Sequence, residues 1–134
     1  MATHRADRLP GFTLIELMVV MALIALLLTV VAPRFLSQID RAREDVLRNN
    51  LKETRAAIDH YYTDTGRYPD TLKRLVDQRY LHALPVDPIT GKTDAWILVA
   101  PSSALPGNPA PTGIIDLHSS APGHGRDGSA YATW

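Results

Sequence analysis

The chain has 134 residues, and its 14 Lys and Arg balance 14 Asp and Glu. That length holds one small domain once an apolar segment is set aside, and the charge balance excludes a general attraction to nucleic acid or anionic surfaces. No cysteine occurs, which excludes a disulfide framework and a thiolate metal site.

Residues 1–10 read as a short polar leader on the cytoplasmic side, carrying Arg5, Asp7 and Arg8 and no structure of their own. Gly11-Phe12-Thr13-Leu14-Ile15-Glu16-Leu17 then opens an apolar run of 21 residues from Phe12 to Ala32. As a helix that run spans roughly 32 Å, the thickness of a bilayer's hydrocarbon core. A secretory signal peptide fits poorly. The run is too long for an h-region, it contains Glu16, and the one plausible cleavage triplet, Val30-Val31-Ala32, is followed by Pro33. A plain single-span anchor fits better, but it leaves Glu16 unexplained. A carboxylate at mid-membrane costs about 2.5–3.5 kcal/mol on insertion scales, and less near the edge. Counting Lys and Arg leaves orientation open, because Arg5 and Arg8 precede the span while Arg34, Arg41, Arg43 and Arg48 follow it.

Beyond Pro33 the pattern becomes amphipathic. Phe35, Ile39, Ala42 and Val46 form one stripe, and Leu47, Leu51, Thr54, Ile58 and Tyr61 form its neighbour. Arg41 with Asp45, Glu44 with Arg48, and Arg55 with Asp59 are spaced to pair one turn apart, each pair contributing about 0.2–0.5 kcal/mol. The simplest reading is one helix from about Phe12 to Tyr62, loosened at Pro33, with 33–63 as its water-exposed half. Thr65-Gly66 stops it, Gly66 suiting a left-handed cap. A short helix is expected over 70–80, turn chemistry over Leu84–Gly91, and strands at about 95–99, 113–118 and 129–133. The proline-rich stretch Pro101–Pro111 is a long loop. The fold class is therefore α+β: a long N-terminal helix, half transmembrane and half amphipathic, packed on a small antiparallel sheet.

The polar residues carry no catalytic pattern. His60, His82, His118 and His124 show no zinc-protease spacing, and neither a nucleophile elbow nor a phosphate-binding loop occurs. No enzyme is expected. Tyr61 and Tyr62 read as core and rim of the helix–sheet contact. Arg67, Lys73, Arg74 and Arg79 form only a loose cluster, so no nucleic-acid partner is expected either.

Gly11 followed by Phe12-Thr13-Leu14-Ile15-Glu16 resembles the prepilin cleavage and methylation signature of the type IV pilin-like family. The resemblance implies a pilin-like fold, a leader over 1–11 cut between Gly11 and Phe12 by a prepilin peptidase, and N-methylation of Phe12. It places Glu16 where the family has its assembly glutamate and Pro33 where many members carry a helix-loosening proline. It also implies a transmembrane and filament-core helix over 12–32, a periplasmic domain over 33–134, and an N-terminus on the cytoplasmic side of a bacterial inner membrane.

Gly66-Arg67-Tyr68-Pro69 with Leu72 and Leu75, and Leu84-Pro85-Val86-Asp87-Pro88 with Gly91, are similar to the major (G-type) pseudopilin of type II secretion. So is the ending from Ile115-Asp116-Leu117 through Gly125-Arg126-Asp127-Gly128 to Trp134. The implied function is a structural subunit of a periplasmic pseudopilus that drives export of folded proteins across the outer membrane. The implied partners are further copies in a filament, minor pseudopilins, the prepilin peptidase, the inner-membrane assembly platform, and lipid before assembly. A motility or adhesion pilin, and a membrane-anchored periplasmic enzyme or receptor, are the alternatives. Major pseudopilins bind calcium in an aspartate-rich C-terminal loop. Here Ser119–Asp127 holds one acid, and Asp116, Ser119 and Asp127 are the candidate ligands, fewer than calcium's six to eight oxygens require. The loop is instead expected to be held by its own turns and by packing of Tyr131 and Trp134, with no cofactor.

Overall fold

The computed structural model describes residues 11–102 and 111–134. The leader and most of the proline-rich loop lie outside them. Two units divide the chain, one through Gln38 and one over Ile39–Trp134. Helix α1, Leu14–Thr65, belongs to both.

In the first unit α1 is apolar from Leu14 to Ala32 apart from Glu16 and Thr29, and from Leu14 to Val31 its large apolar side chains are all exposed. Among the described residues it is the one helix long and apolar enough to cross a membrane. Pro33 lies inside it. Having no N–H, it leaves the Thr29 carbonyl without its helical donor, but the helix continues through it.

In the second unit α1 is amphipathic. Leu47, Leu51, Thr54, Ile58 and Tyr61 step by four and three and are all buried, as a single face of a 3.6-residue helix requires. Within this unit the neighbouring stripe behaves differently: Ala42 and Val46 remain exposed. The small domain therefore covers only one of the two stripes. Its remaining core is Leu72 and Leu75 of helix α2 (Leu72–Asp77), Trp96 of strand β1 (Trp96–Val99), Ile114, and Leu117 of strand β2 (Asp116–Ser119). Burying each such aliphatic side chain contributes about 1.5–3 kcal/mol. Tyr61 meets Tyr80 edge-on in this core, while half-exposed Tyr62 stacks on Tyr68 at 4.4 Å.

The ends of several elements differ from their sequence patterns. α1 ends at Gly66, whose φ of 69° takes the left-handed cap conformation. α2 occupies only part of 70–80, because Thr71 caps its start and Arg79, at a φ of 65°, ends the helical turn. β1 and β2 pair antiparallel from Trp96↔Ser119 to Val99↔Asp116. β2 cannot begin at 113. Gly113 has a φ of 115°, and the next amide donates to the Pro69 carbonyl at 2.9 Å rather than to β1. A Cβ at Gly113 would also sit 2.7 Å from Tyr68 Cβ, so glycine is required there twice over.

The third expected strand, 129–133, does not form. The chain makes an isolated bridge between His124 and Ala130, then a 3₁₀ turn over Tyr131–Thr133. Such a turn eclipses side chains three apart, setting the Tyr131 and Trp134 rings edge to face at 5.0 Å. A strand would have sent them to opposite faces.

Candidate processing and assembly site

Gly11, Phe12 and Thr13 precede the helix in non-helical backbone, and Phe12 is 81% exposed. Among the described residues nothing lies within 4 Å of where a Gly11 Cβ would be. Thr13 caps α1. Its hydroxyl accepts from the Glu16 amide at 3.2 Å, and its carbonyl accepts from the Leu17 amide at 3.2 Å. The sequence reading missed this cap, although Thr13-x-x-Glu16 is the Ser/Thr-x-x-Glu spacing of a helix start. Glu16 falls in the first helical turn, where the helix dipole favours a negative charge by about 0.3–1 kcal/mol. Exposed Phe12 thus leads into an exposed, one-acid helical rod that begins at Leu14, three residues past Gly11.

The candidate calcium ligands do not converge. Asp116 and Ser119 are three residues apart on β2 and so face opposite sides of the sheet. Asp116 Oδ1 accepts from Arg55 Nε at 2.6 Å and from the Leu117 amide. Ser119 is fully buried, and its hydroxyl donates to Asp87 Oδ2 at 2.5 Å. Asp87 Oδ1 meanwhile accepts from the Ile89 and Thr90 amides, so this pair closes the Leu84–Gly91 turn onto β2. Asp127 accepts from the Ser129 amide and hydroxyl and from Arg48 Nη2 at 2.6 Å. The Ser129 hydrogen bonds, followed by the Arg48 bond, lower its pKa to about 2. Among the described residues no three His, Asp or Glu side chains gather as a metal site. The residues present do not fit calcium.

Instead of pairing along the helix, the α1 charges reach across to the C-terminal segment. Arg55 Nη2 donates to the carbonyls of Leu117 and Trp134, both at 2.9 Å. Arg48 lies 4.0 Å over the Trp134 ring as well as on Asp127. Glu44, only 8% exposed, accepts from the Arg126 amide at 3.0 Å and from the Tyr131 hydroxyl. Burial, then the Glu44 charge, raises the Tyr131 pKa. Neither the Glu44–Arg48 nor the Arg55–Asp59 pair is present among the described ion pairs, nor is Arg41–Asp45. The i,i+4 spacing could not distinguish a partner on the same helix from one about eighty residues away.

His118 Nδ1 bonds to the Trp134 carbonyl, while His60, His82 and His124 are exposed. The four histidines thus stand apart from any shared site.

The chain resembles known proteins both at its N-terminal motif and over longer stretches. The prokaryotic N-terminal methylation motif matches residues 10–32. The type II secretion system core protein G of Pseudomonas aeruginosa is 37% identical over 94 residues, covering 58% of this chain and 66% of that protein. The protein of that name from Pectobacterium carotovorum subsp. carotovorum is 30% identical over 128 residues, covering 84% of this chain and 75% of its own. The type IV major pilin protein PilA of Myxococcus xanthus is 37% identical over 60 residues, covering 45% of this chain but 27% of the pilin. No solved structure matches.

Proposed function

The chain belongs to the family of the type II secretion system core protein G, and from that premise we propose that it is a structural subunit of a type II secretion pseudopilus. The observation that carries this reading is similarity over 84% of the chain to a core protein G, well beyond the 10–32 motif. The likeness to the pilin spans only 27% of that protein and gives a motility role less support.

In this reading a prepilin peptidase cuts between Gly11 and Phe12 and methylates the new amine of Phe12. Before assembly, residues 12–32 anchor the chain in the inner membrane with the leader cytoplasmic and 33–134 periplasmic. The exposed apolar side chains of that stretch are supported there by lipid and later by neighbouring helices. Pro33, by removing a helical hydrogen bond, gives α1 a point of give as it leaves lipid for the filament core.

Glu16 supplies the assembly contact. Cleavage creates a cation on Phe12, and methylation keeps it charged. The Glu16 carboxylate of one subunit pairs with the Phe12 amine of the next, so both charges leave water together, where an isolated acid would be costly. The filament so formed drives folded proteins outward, in concert with minor pseudopilins and an inner-membrane assembly platform. ATP hydrolysis falls to a separate cytoplasmic motor. The subunit itself is not an enzyme.

The test is the mature N-terminus together with secretion. Mass spectrometry of the membrane-extracted protein should find a chain beginning at N-methyl-Phe12 when prepilin peptidase is present and an uncut one when it is absent. Deleting the gene should abolish exoprotein release. An intact leader in the presence of the peptidase, or unchanged release, would overturn the proposal.

A further inference from the structure

We propose that the guanidinium groups of Arg48 and Arg55 take the place of a divalent cation in this chain, so that its C-terminal segment is held without calcium. The inference concerns the small domain alone and does not depend on the filament reading.

A calcium ion organises a loop by drawing carboxylate and carbonyl oxygens from separate stretches onto one charge. Arg55 does this with hydrogen bonds. Its fork collects one carboxylate oxygen, from Asp116, and two carbonyl oxygens, from Leu117 and Trp134, all within 2.6–2.9 Å. Three oxygens from the two ends of the 116–134 segment thereby meet on one cation fixed to the helix. A planar, permanently charged fork is suited to this as a lysine is not. Arg48 repeats the arrangement one step along, with Asp127 on one side and the Trp134 ring under its guanidinium carbon.

Both acidic side chains of the segment fall on these two arginines. From Pro111 to Trp134 the only acids are Asp116 and Asp127, and each is bonded to one of them. Both oxygens of Asp127 are engaged, Oδ1 by Ser129 and Oδ2 by Arg48. A calcium ion would therefore have to compete with a guanidinium at Asp127 Oδ2 and at Asp116 Oδ1 while finding other oxygens to complete its shell. Glu44 completes the clasp with opposite polarity, accepting from the Arg126 amide and the Tyr131 hydroxyl. Positions 44, 48 and 55 share one face of α1, and that face is the seat of the segment. Glycine at 125 lets it close: a Cβ there would come 2.2 Å from the Trp134 ring.

Hydrogen exchange of the full-length chain in detergent micelles, read by mass spectrometry over 116–134, tests the proposal. Exchange with EGTA and with added calcium chloride should agree within about twofold. A bound ion at a hundred times its dissociation constant would instead slow opening about a hundredfold. Replacing both arginines (Arg48→Gln with Arg55→Gln) should speed exchange of this segment about tenfold or more. Lys52→Gln, which removes a nearby helix charge with no ion pair among the described residues, should leave it unchanged. Should the double variant fail to fold, Arg55→Lys, which keeps the charge but loses the fork, should still raise exchange. Calcium-slowed exchange in the unmodified chain would overturn the proposal. So would unchanged exchange in the arginine variants, or an equal effect from Lys52→Gln.

Discussion

Arg55 Nε donates to Asp116 Oδ1 at 2.6 Å, joining the long helix to β2 across 61 residues of sequence. Removing that side chain breaks three bonds at once and leaves Asp116 without its cation. Arg55→Met should lower unfolding stability by about 2 kcal/mol, within the range for hydrogen bonds to charged groups. The estimate stays modest because about a third of each partner remains exposed. Denaturant midpoints of the full chain in detergent would measure it. Arg55→Lys should recover less than half of the loss, since an ammonium cannot span a carboxylate and two carbonyls in one plane.

Asp127 predicts an acid limb. Its folded pKa, lowered to about 2, lies below the ordinary value of 3.8. A depressed carboxyl contributes stability that is fully present above its unfolded pKa and is lost as pH falls through the folded one. The contribution should therefore fade from just above pH 3.8 down to about 2. Asp127→Asn should flatten stability against pH in that window and leave the slope near neutrality unchanged. Urea midpoints measured down to about pH 2 would show it, and superimposable acid limbs would contradict it.

The sequence carried the helix, its amphipathic half, the Gly66 cap and the two paired strands, because each rests on local periodicity or on one residue's backbone preference. It did not carry the partners of Glu44, Arg48 and Arg55. Charges at i,i+4 satisfy a helix surface as well as a remote segment, and only the fold chooses between them. The end of the chain was illegible for a related reason. Ser129–Trp134 follows a Gly-rich turn as a returning strand would, yet Tyr131 and Trp134 lie side by side, with Glu44 and Arg48 of the helix against them. At the proposed processing site the Thr13 cap required looking for a helix start inside an apolar run.

The two apolar stripes of α1 should separate by mutation. Leu47 is fully buried, whereas its neighbour Val46 is 49% exposed. Leu47→Ala should cost about 3 kcal/mol, from lost transfer energy and the cavity left behind. Val46→Ala should change stability by less than about 0.5 kcal/mol, as surface substitutions do. If the exposed stripe packs against other subunits, only the Val46 variant should assemble poorly while folding normally. Thermal unfolding of the full chain, alongside filament yield, distinguishes the two effects.

Glu16 gives the sharpest prediction for assembly. It is the one acid of an otherwise apolar stretch, in the first turn of α1, one turn past exposed Phe12. Removing it makes membrane insertion easier, because the insertion cost of about 2.5–3.5 kcal/mol at the centre, smaller at the edge, disappears. A purely structural role would therefore leave Glu16→Ala inserted, processed and at least as well assembled. A pairing role predicts the opposite for the last step: insertion and cleavage at normal levels, but no filament growth. Glu16→Gln discriminates further. It keeps the size and hydrogen-bonding capacity of the side chain but not its charge, and it should fail in the same way if the partner is the cationic amine of Phe12. Membrane fractionation, mass of the mature N-terminus and electron microscopy of sheared filaments read the three stages separately. Normal filaments from either variant would refute the pairing.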